Sequence, residues 1–324
     1  MIRTSLAVSL FTPSQRRHSF IRRIALAAIA AGAILIAAPA WADVIYGTSG
    51  SNIVAYNTQT HATTTTPGAN LYFQSYGIAY GPDGNLYIVD RIPNQNLEKI
   101  EIYSTGGADL GTFANNLPYG SLGNDVVFDH AGNLYLTTTS SGNGEVEKFP
   151  VGGGAPILLG GGSIPYQLAV DNLNNIYVTD FNNSIYEFHN GSGPPVILAF
   201  QNAGGVAADN SGFIYATMNS NSQTIQYPAA GGAPTANPFS NQGGYGIVFD
   251  PGTNSLFTVS PPGLYQIDLA NGNPSTNSAH VSSVFNGTEF LTVQVVPEPT
   301  SLTLLSLGAG LLIWRTRRAR KFPG

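Results

Sequence analysis

Apolar and polar positions alternate in short runs through most of this 324-residue chain. Between residues 43 and 296 no stretch sustains a 3.6-residue period, so amphipathic helices are not expected there. β-Branched and aromatic runs are broken by clusters of Gly, Asn and Pro, the pattern of short strands and tight turns. The pattern also repeats. Segments Gly77–Asp90, Asp125–Thr138, Gln167–Asp180 and Gly205–Met218 align residue for residue, and Gly246–Val259 aligns with one residue inserted in its turn. Each reads as an apolar strand, a turn, and a second strand with an aromatic at its second position.

The aromatics are Tyr46, Tyr87, Tyr135, Tyr177, Tyr215 and Phe257, spaced by 41, 48, 42, 38 and 42 residues. That is close to the length of a four-stranded propeller blade. A third strand follows each: Ile53–Tyr56, Lys99–Tyr103, Val146–Phe149, Ile185–Phe188, Ile225–Tyr227 and Leu264–Leu269. A fourth, outer strand is expected in most units, as at Val196–Phe200 and Val281–Phe285. The phase carries a further expectation. The repeat opens at Val44-Ile45-Tyr46, which matches a second strand, and ends with an unpartnered apolar segment, Phe290–Val296. That segment is expected to complete the first blade as its innermost strand and so close the ring. The pattern predicts an all-β, six-bladed propeller over residues 43–296.

Charge separates this body from the two ends. Ten of the 13 Lys and Arg lie before residue 24 or after residue 314. The body keeps only Arg91, Lys99 and Lys148 against 17 acids, a net charge of −14. So acidic a surface lacks the basic footprint that nucleic acid requires, and none is expected as a partner. The chain has no cysteine, so no disulfide reinforces the core.

Residues 1–42 read as a signal peptide. Arg3, Arg16, Arg17, Arg22 and Arg23 precede an apolar stretch, Ile24–Ala38, and an Ala40-Trp41-Ala42 cleavage site. No Ser or Thr leads Arg22-Arg23, which favours general secretion over the twin-arginine route. At the other end, Pro297 and Pro299 stop any regular element. An apolar run to Trp314 follows, then Arg315, Arg317, Arg318, Arg320 and Lys321. Thr300–Trp314 is 15 residues, shorter than the roughly 20 of a lasting span. Both cationic clusters are expected to stay cytoplasmic, which places the body outside the inner membrane.

The order Val296-Pro297-Glu298-Pro299, short span, Arg cluster resembles the PEP-CTERM sorting signal of Gram-negative bacteria. The resemblance covers residues 296–324. It implies a short C-terminal transmembrane helix opposite the N-terminal signal helix, and an exosortase-type processing enzyme as partner. It also implies transient anchoring in the inner membrane before delivery to the cell surface or beyond.

The repeat itself resembles the NHL and SMP-30/gluconolactonase-like propellers across residues 43–296. No blade carries the Trp-Asp pair of WD40 repeats, since Trp41 and Trp314 both lie outside the body. In the lactonase-type enzymes a divalent metal sits where the inner strands begin. Here those positions are Tyr76, Asn124, Tyr166, Gly204 and Tyr245, and only Asn124-Asp125 looks like a ligand position. Tyr and Gly do not supply acidic oxygen ligands. No cofactor is therefore expected, a divalent cation being the one alternative.

A streptogramin-lyase-like reading needs a His and a Glu acting together, and Glu289 and His280 are expected on opposite faces. His130 falls in a turn after a first strand, and His61, His189 and His280 in links between third and fourth strands. Both kinds of link emerge on the face away from the inner-strand starts, so these histidines read as surface loops. Asp129, Asp171, Asp209 and Asp250 end the first strands and read as turn formers. The remaining candidate mouth is Tyr76, Tyr166 and Tyr245 with Asn124, Asp125 and Gln167, and with Asp90, Arg91 and Asp180 in nearby links. Aromatic faces beside amides and carboxylates suit sugar rings or a peptide. The sequence reading is an exported, non-catalytic binding or structural protein of the cell envelope or matrix, with polysaccharide or envelope proteins as partners. The alternative is a propeller enzyme of the lactonase or lyase type.

Overall fold

The computed structural model describes residues 43–295 except 72–74, 93–96, 119–124, 141–142, 182–183, 200–201, 219–222, 229–230, 232, 235–243, 270–277 and 289. The expected signal peptide, Pro-Glu-Pro motif (Val296, Pro297, Glu298, Pro299), membrane segment and stop arginines (Arg315, Arg317, Arg318, Arg320) lie outside the described residues. Among the described residues no helix is long and apolar enough to cross a membrane. Residues 42–296 form one compact unit.

Among the described residues, 23 strands build six antiparallel sheets. The first holds β1 (Val44–Ser49), β2 (Asn52–Asn57) and β3 (Thr63–Pro67). The second runs β4 (Ser75–Tyr80), β5 (Leu86–Ile92), β6 (Leu97–Tyr103), β7 (Asp109–Pro118). The third runs β8 (Val126–Phe128), β9 (Leu134–Ser140), β10 (Asn143–Phe149), β11 (Ile157–Gly160). The fourth runs β12 (Pro165–Val170), β13 (Ile176–Asp180), β14 (Ser184–Phe188), β15 (Val196–Ala199). The fifth has β16 (Ala203–Ala208), β17 (Phe213–Met218) and β18 (Gln223–Pro228) among the described residues. The sixth runs β19 (Ile247–Asp250), β20 (Ser255–Ser260), β21 (Gly263–Asp268), β22 (Ala279–Ser282). The last strand, β23 (Leu291–Gln294), pairs antiparallel with β1, giving the first sheet the order β23-β1-β2-β3.

One register recurs in all six sheets. The second-strand aromatic faces the inner strand at Tyr46↔Thr292, Tyr87↔Ala79, Tyr135↔Val127, Tyr177↔Ala169, Tyr215↔Ala207 and Phe257↔Val248. All six aromatics are buried.

No strand ladder joins one sheet to the next among the described residues; the sheets meet through side chains. Six apolar clusters fill the spaces between successive sheets. Tyr46, Ile53, Ile78 and Ile88 lie between the first and second. Ala79, Tyr87, Val126 and Leu136 lie between the second and third. Tyr135, Leu168 and Val178 follow, then Tyr177, Val206 and Ile214, then Tyr215, Ile247 and Leu256. The last packs Phe257, Val259 and Leu264 of the sixth sheet against Ile45, Val54 and Tyr56 of the first. The architecture is an all-β, six-bladed propeller with the six inner strands around a central channel.

Candidate functional site

The inner strands begin at one end of the channel and leave for their turns at the other. Turn chemistry fixes the second end. Asp129 Oδ1 accepts the N–H groups of Ala131 (3.0 Å) and Asn133 (2.8 Å). Asp171 does the same for Leu173 and Asn175, and Asp209 for Ser211 and Phe213. Asp250 accepts from Gly252 N–H (3.1 Å) and Thr253 Oγ1 (2.7 Å) across its longer turn. The carboxylates are spent on their own turns, as the sequence suggests.

Aromatic rings fill the starting end. Tyr166 packs against Phe181 (centroids 4.6 Å apart), against Phe290 from the facing side of the ring (5.0 Å) and against Tyr245 (5.9 Å). Tyr166 and Phe290 are buried, while Tyr245 is half exposed. Tyr76 lies under the Arg91 guanidinium, 4.3 Å from the ring centre. Of the candidate mouth, then, Tyr166 and Tyr245 come together and Tyr76 pairs with Arg91; Asn124 lies outside the described residues. Asp90 and Arg91 lie within β5 and Asp180 ends β13, so all three belong to strands rather than links. Asp90 and Asp180 are fully buried, and Asp180 Oδ2 accepts the Ile164 N–H (3.1 Å).

Just inside the aromatic layer, polar side chains tie neighbouring inner strands. Asp125 Oδ2 accepts the Leu168 N–H (2.9 Å), and Oδ1 accepts the Val126 N–H (2.9 Å). One sheet on, at the equivalent register position, Gln167 Oε1 accepts the Val206 N–H (3.0 Å) while Nε2 donates to the Ile247 carbonyl (3.2 Å). Threonines of second strands add to the layer: Thr137 donates to the Tyr166 carbonyl (2.9 Å) and Thr217 to the Gly244 carbonyl (2.6 Å). Asp125 and Gln167 are both buried. Burial pushes the Asp125 carboxyl well above the usual carboxylate range, against the two backbone donors that pull it down.

From this layer a cavity of about 240 Å³ runs toward the turn end of the channel. Its wall rises from Asp125 through Val126, Leu168, Val206 and Ile247 to His130 and Val295, both exposed at the rim. The channel is thus filled where the sequence places the mouth and open on the face that carries His130. His130 Nδ1 lies 3.1 Å from Asn174 Oδ1. The other histidines stand apart: His61 bonds Tyr56 (2.6 Å), His189 pairs with Glu187 (2.8 Å), and His280 lies on β22 against Tyr265. His280 therefore belongs to a strand, not a link. Glu289 lies outside the described residues.

A second cleft, of about 440 Å³, opens between the second and third sheets. Tyr87 stands edge-on to Phe128 (4.8 Å) and Phe113 (5.5 Å), and Phe113 edge-on to Phe149 (5.7 Å). Phe113 is 40% exposed and Val151 63%. Sequence reasoning missed this cleft because Phe113 comes from β7, an outer strand with no repeat signature.

No family model matches the sequence, and no curated protein matches it either. Among solved structures it is similar to the crystal structure of a protein of unknown function from Bacteroides caccae, at 12% identity and a TM-score of 0.54. The alignment covers 78% of this chain and 98% of that one. At this identity the likeness speaks for the fold alone, and propellers host many unrelated functions.

Proposed function

We propose that this chain is an exported, non-catalytic binding propeller of the bacterial cell envelope or extracellular matrix. Its tail is read by an exosortase-type enzyme at Pro297-Glu298-Pro299, and β23 closes the ring immediately before that tail. The partner class is neutral polysaccharide. The observation that carries this reading is the cleft of Tyr87, Phe113, Phe128 and Phe149, half open to solvent through Phe113. Aromatic faces hold the apolar side of a pyranose without needing charge. A body of net charge −14 repels polyanions and leaves neutral sugars the better fit. Filling of the channel start by Tyr166 and Phe290 supports a non-catalytic role, because lactonase-like enzymes gather their ligands at that end. The lactonase alternative rests on Asp125, and the lyase alternative on His280 with Glu289, which lies outside the described residues.

The reading is tested by fractionating cells that carry the wild-type or Glu298→Ala chain and by probing the purified chain on a glycan array. Wild-type protein is expected outside the inner membrane and retained on neutral glycans, with Glu298→Ala trapped unprocessed in the inner membrane. Cytoplasmic protein, or a chain that ignores every glycan, overturns it.

A further inference from the structure

Asp125 holds a buried carboxylate, 3% exposed, in the wall of the central cavity. Among the described residues no Lys or Arg pairs with it; its partners are two backbone N–H groups. The tie to the neighbouring strand does not explain the charge. Gln167, at the equivalent position one sheet on, makes the same bond with a neutral amide. A buried charge without an opposite charge is costly, and the raised pKa expresses that cost. Phe128, Leu168, Val206 and Phe249 are among the residues that line the cavity, with Tyr80, His130 and Thr292 as its other polar residues.

From this geometry we propose that the central cavity binds a small organic cation, an ammonium group on a compact apolar body, with Asp125 as its counter-ion. The cation reaches Asp125 from the rim at His130 and Val295, and its apolar body lies against the aliphatic and aromatic wall. An ammonium partner removes the desolvation cost by holding the carboxyl in its charged form. The volume sets the size. At about 240 Å³ and open at its rim, the cavity admits a compact ligand and not a polymer.

A metal ion fits less well. Calcium asks for six to eight oxygens, whereas beside Asp125 the wall offers the side chains of Tyr80, His130 and Thr292. Thr292 Oγ1 already accepts the Tyr80 N–H (3.0 Å). No group of three or more His, Cys, Asp or Glu among the described residues could hold a metal. The cavity shares Phe128 with the aromatic cleft proposed for glycans, but Asp125 lines only the cavity and Phe113 only the cleft, so the two readings fail by different results.

The test is titration of the full chain with benzylammonium, with benzyl alcohol as the neutral isostere and calcium as the inorganic cation, read by calorimetry and by melting temperature. Benzylammonium is expected to bind at least tenfold more tightly than the alcohol and to raise the melting temperature with concentration. Asp125→Asn keeps an acceptor for the Leu168 N–H and is expected to lose that preference. Ala208→Phe, which fills the cavity near its rim, is expected to abolish binding. If Asp125→Asn melts before ligand is added, the amine-to-alcohol ratio and Ala208→Phe still decide the matter. Equal binding of amine and alcohol, no binding of either, a calcium response alone, or unchanged binding in Ala208→Phe overturns the proposal.

Discussion

Six residues later than its turn aspartate, each of three second strands places a tyrosine whose hydroxyl returns to that carboxylate. Tyr135 donates to Asp129 Oδ2 at 3.0 Å, Tyr177 to Asp171 at 2.9 Å and Tyr215 to Asp209 at 2.9 Å. The other sheets vary the bond. Tyr87 uses Asp83 (3.1 Å), Tyr46 uses Gln294 Oε1 of β23 (3.1 Å), and Phe257 has no hydroxyl. Burial first, then the Asp83 charge and the bond donated to it, pushes Tyr87 up to about 12 from 10.0. Burial and the neighbouring carboxylate push Tyr135, Tyr177 and Tyr215 in the same direction. A phenol that ionises later in the folded state than in the unfolded one stabilises fully below its unfolded pKa. That stabilisation fades as pH rises through the folded value. The urea midpoint is therefore expected to fall from about pH 10 to 12, and less steeply in Tyr87→Phe; a flat midpoint would contradict the assignment. The role of the aspartates in their turns was legible because those bonds span two to four residues. The six-residue interval to the tyrosine in these three sheets was visible too, but burial, which makes the hydroxyl bond matter, is not.

At the scale of strands, one layer of the inner ring shows how three side chains and three glycines share a narrow channel. The register makes Phe290, Gly77, Asp125, Gln167, Gly205 and Gly246 equivalent. Gln167 reaches across Gly205 to the sixth sheet. A Cβ on Gly205 would meet Gln167 Oε1, the Tyr245 carbonyl at 2.5 Å and Thr217 Oγ1 at 2.7 Å. Gly205→Ala is expected to cost about 1–3 kcal/mol of stability, as overpacking of a filled site does. The urea midpoint checks it, and an unchanged midpoint would mean that the layer is looser than described. Hairpins of first and second strands were legible because strand, turn and strand are contiguous and half their positions are apolar. Outer strands were legible only in part, as at β15, which falls within the expected Val196–Phe200. β3 is Thr-Thr-Thr-Thr-Pro, β7 was not placed at all, and β22 begins two residues earlier than its apolar run suggests. One side of an outer strand faces solvent, so burial imposes little pattern on it.

For the molecule as a whole, the open end of the channel decides where chemistry can occur. The sequence could not reveal it, because the plug joins Tyr166 to Phe290 across the ring, a pairing that no local pattern encodes. What the sequence did carry was the phase of the repeat, which leaves a last strand for the first sheet. Val44↔Gln294, Ile45↔Val293, Tyr46↔Thr292 and Gly47↔Leu291 place that strand on β1, and Gln294 falls where other sheets carry the turn aspartate. That this strand closes the ring is the central proposal, and the pairing of β23 with β1 is the observation behind it. The chain has no native cysteine, so a single engineered pair reports on it directly. Val44→Cys with Gln294→Cys joins positions whose Cα separation in an antiparallel pair suits a disulfide. Mild oxidation of the folded chain is expected to form that bond within one molecule and to raise stability by up to about 5 kcal/mol, the chain-entropy limit for so long a loop. Failure of the pair to oxidise in the folded protein, or a bond found only between molecules, would contradict the closed ring.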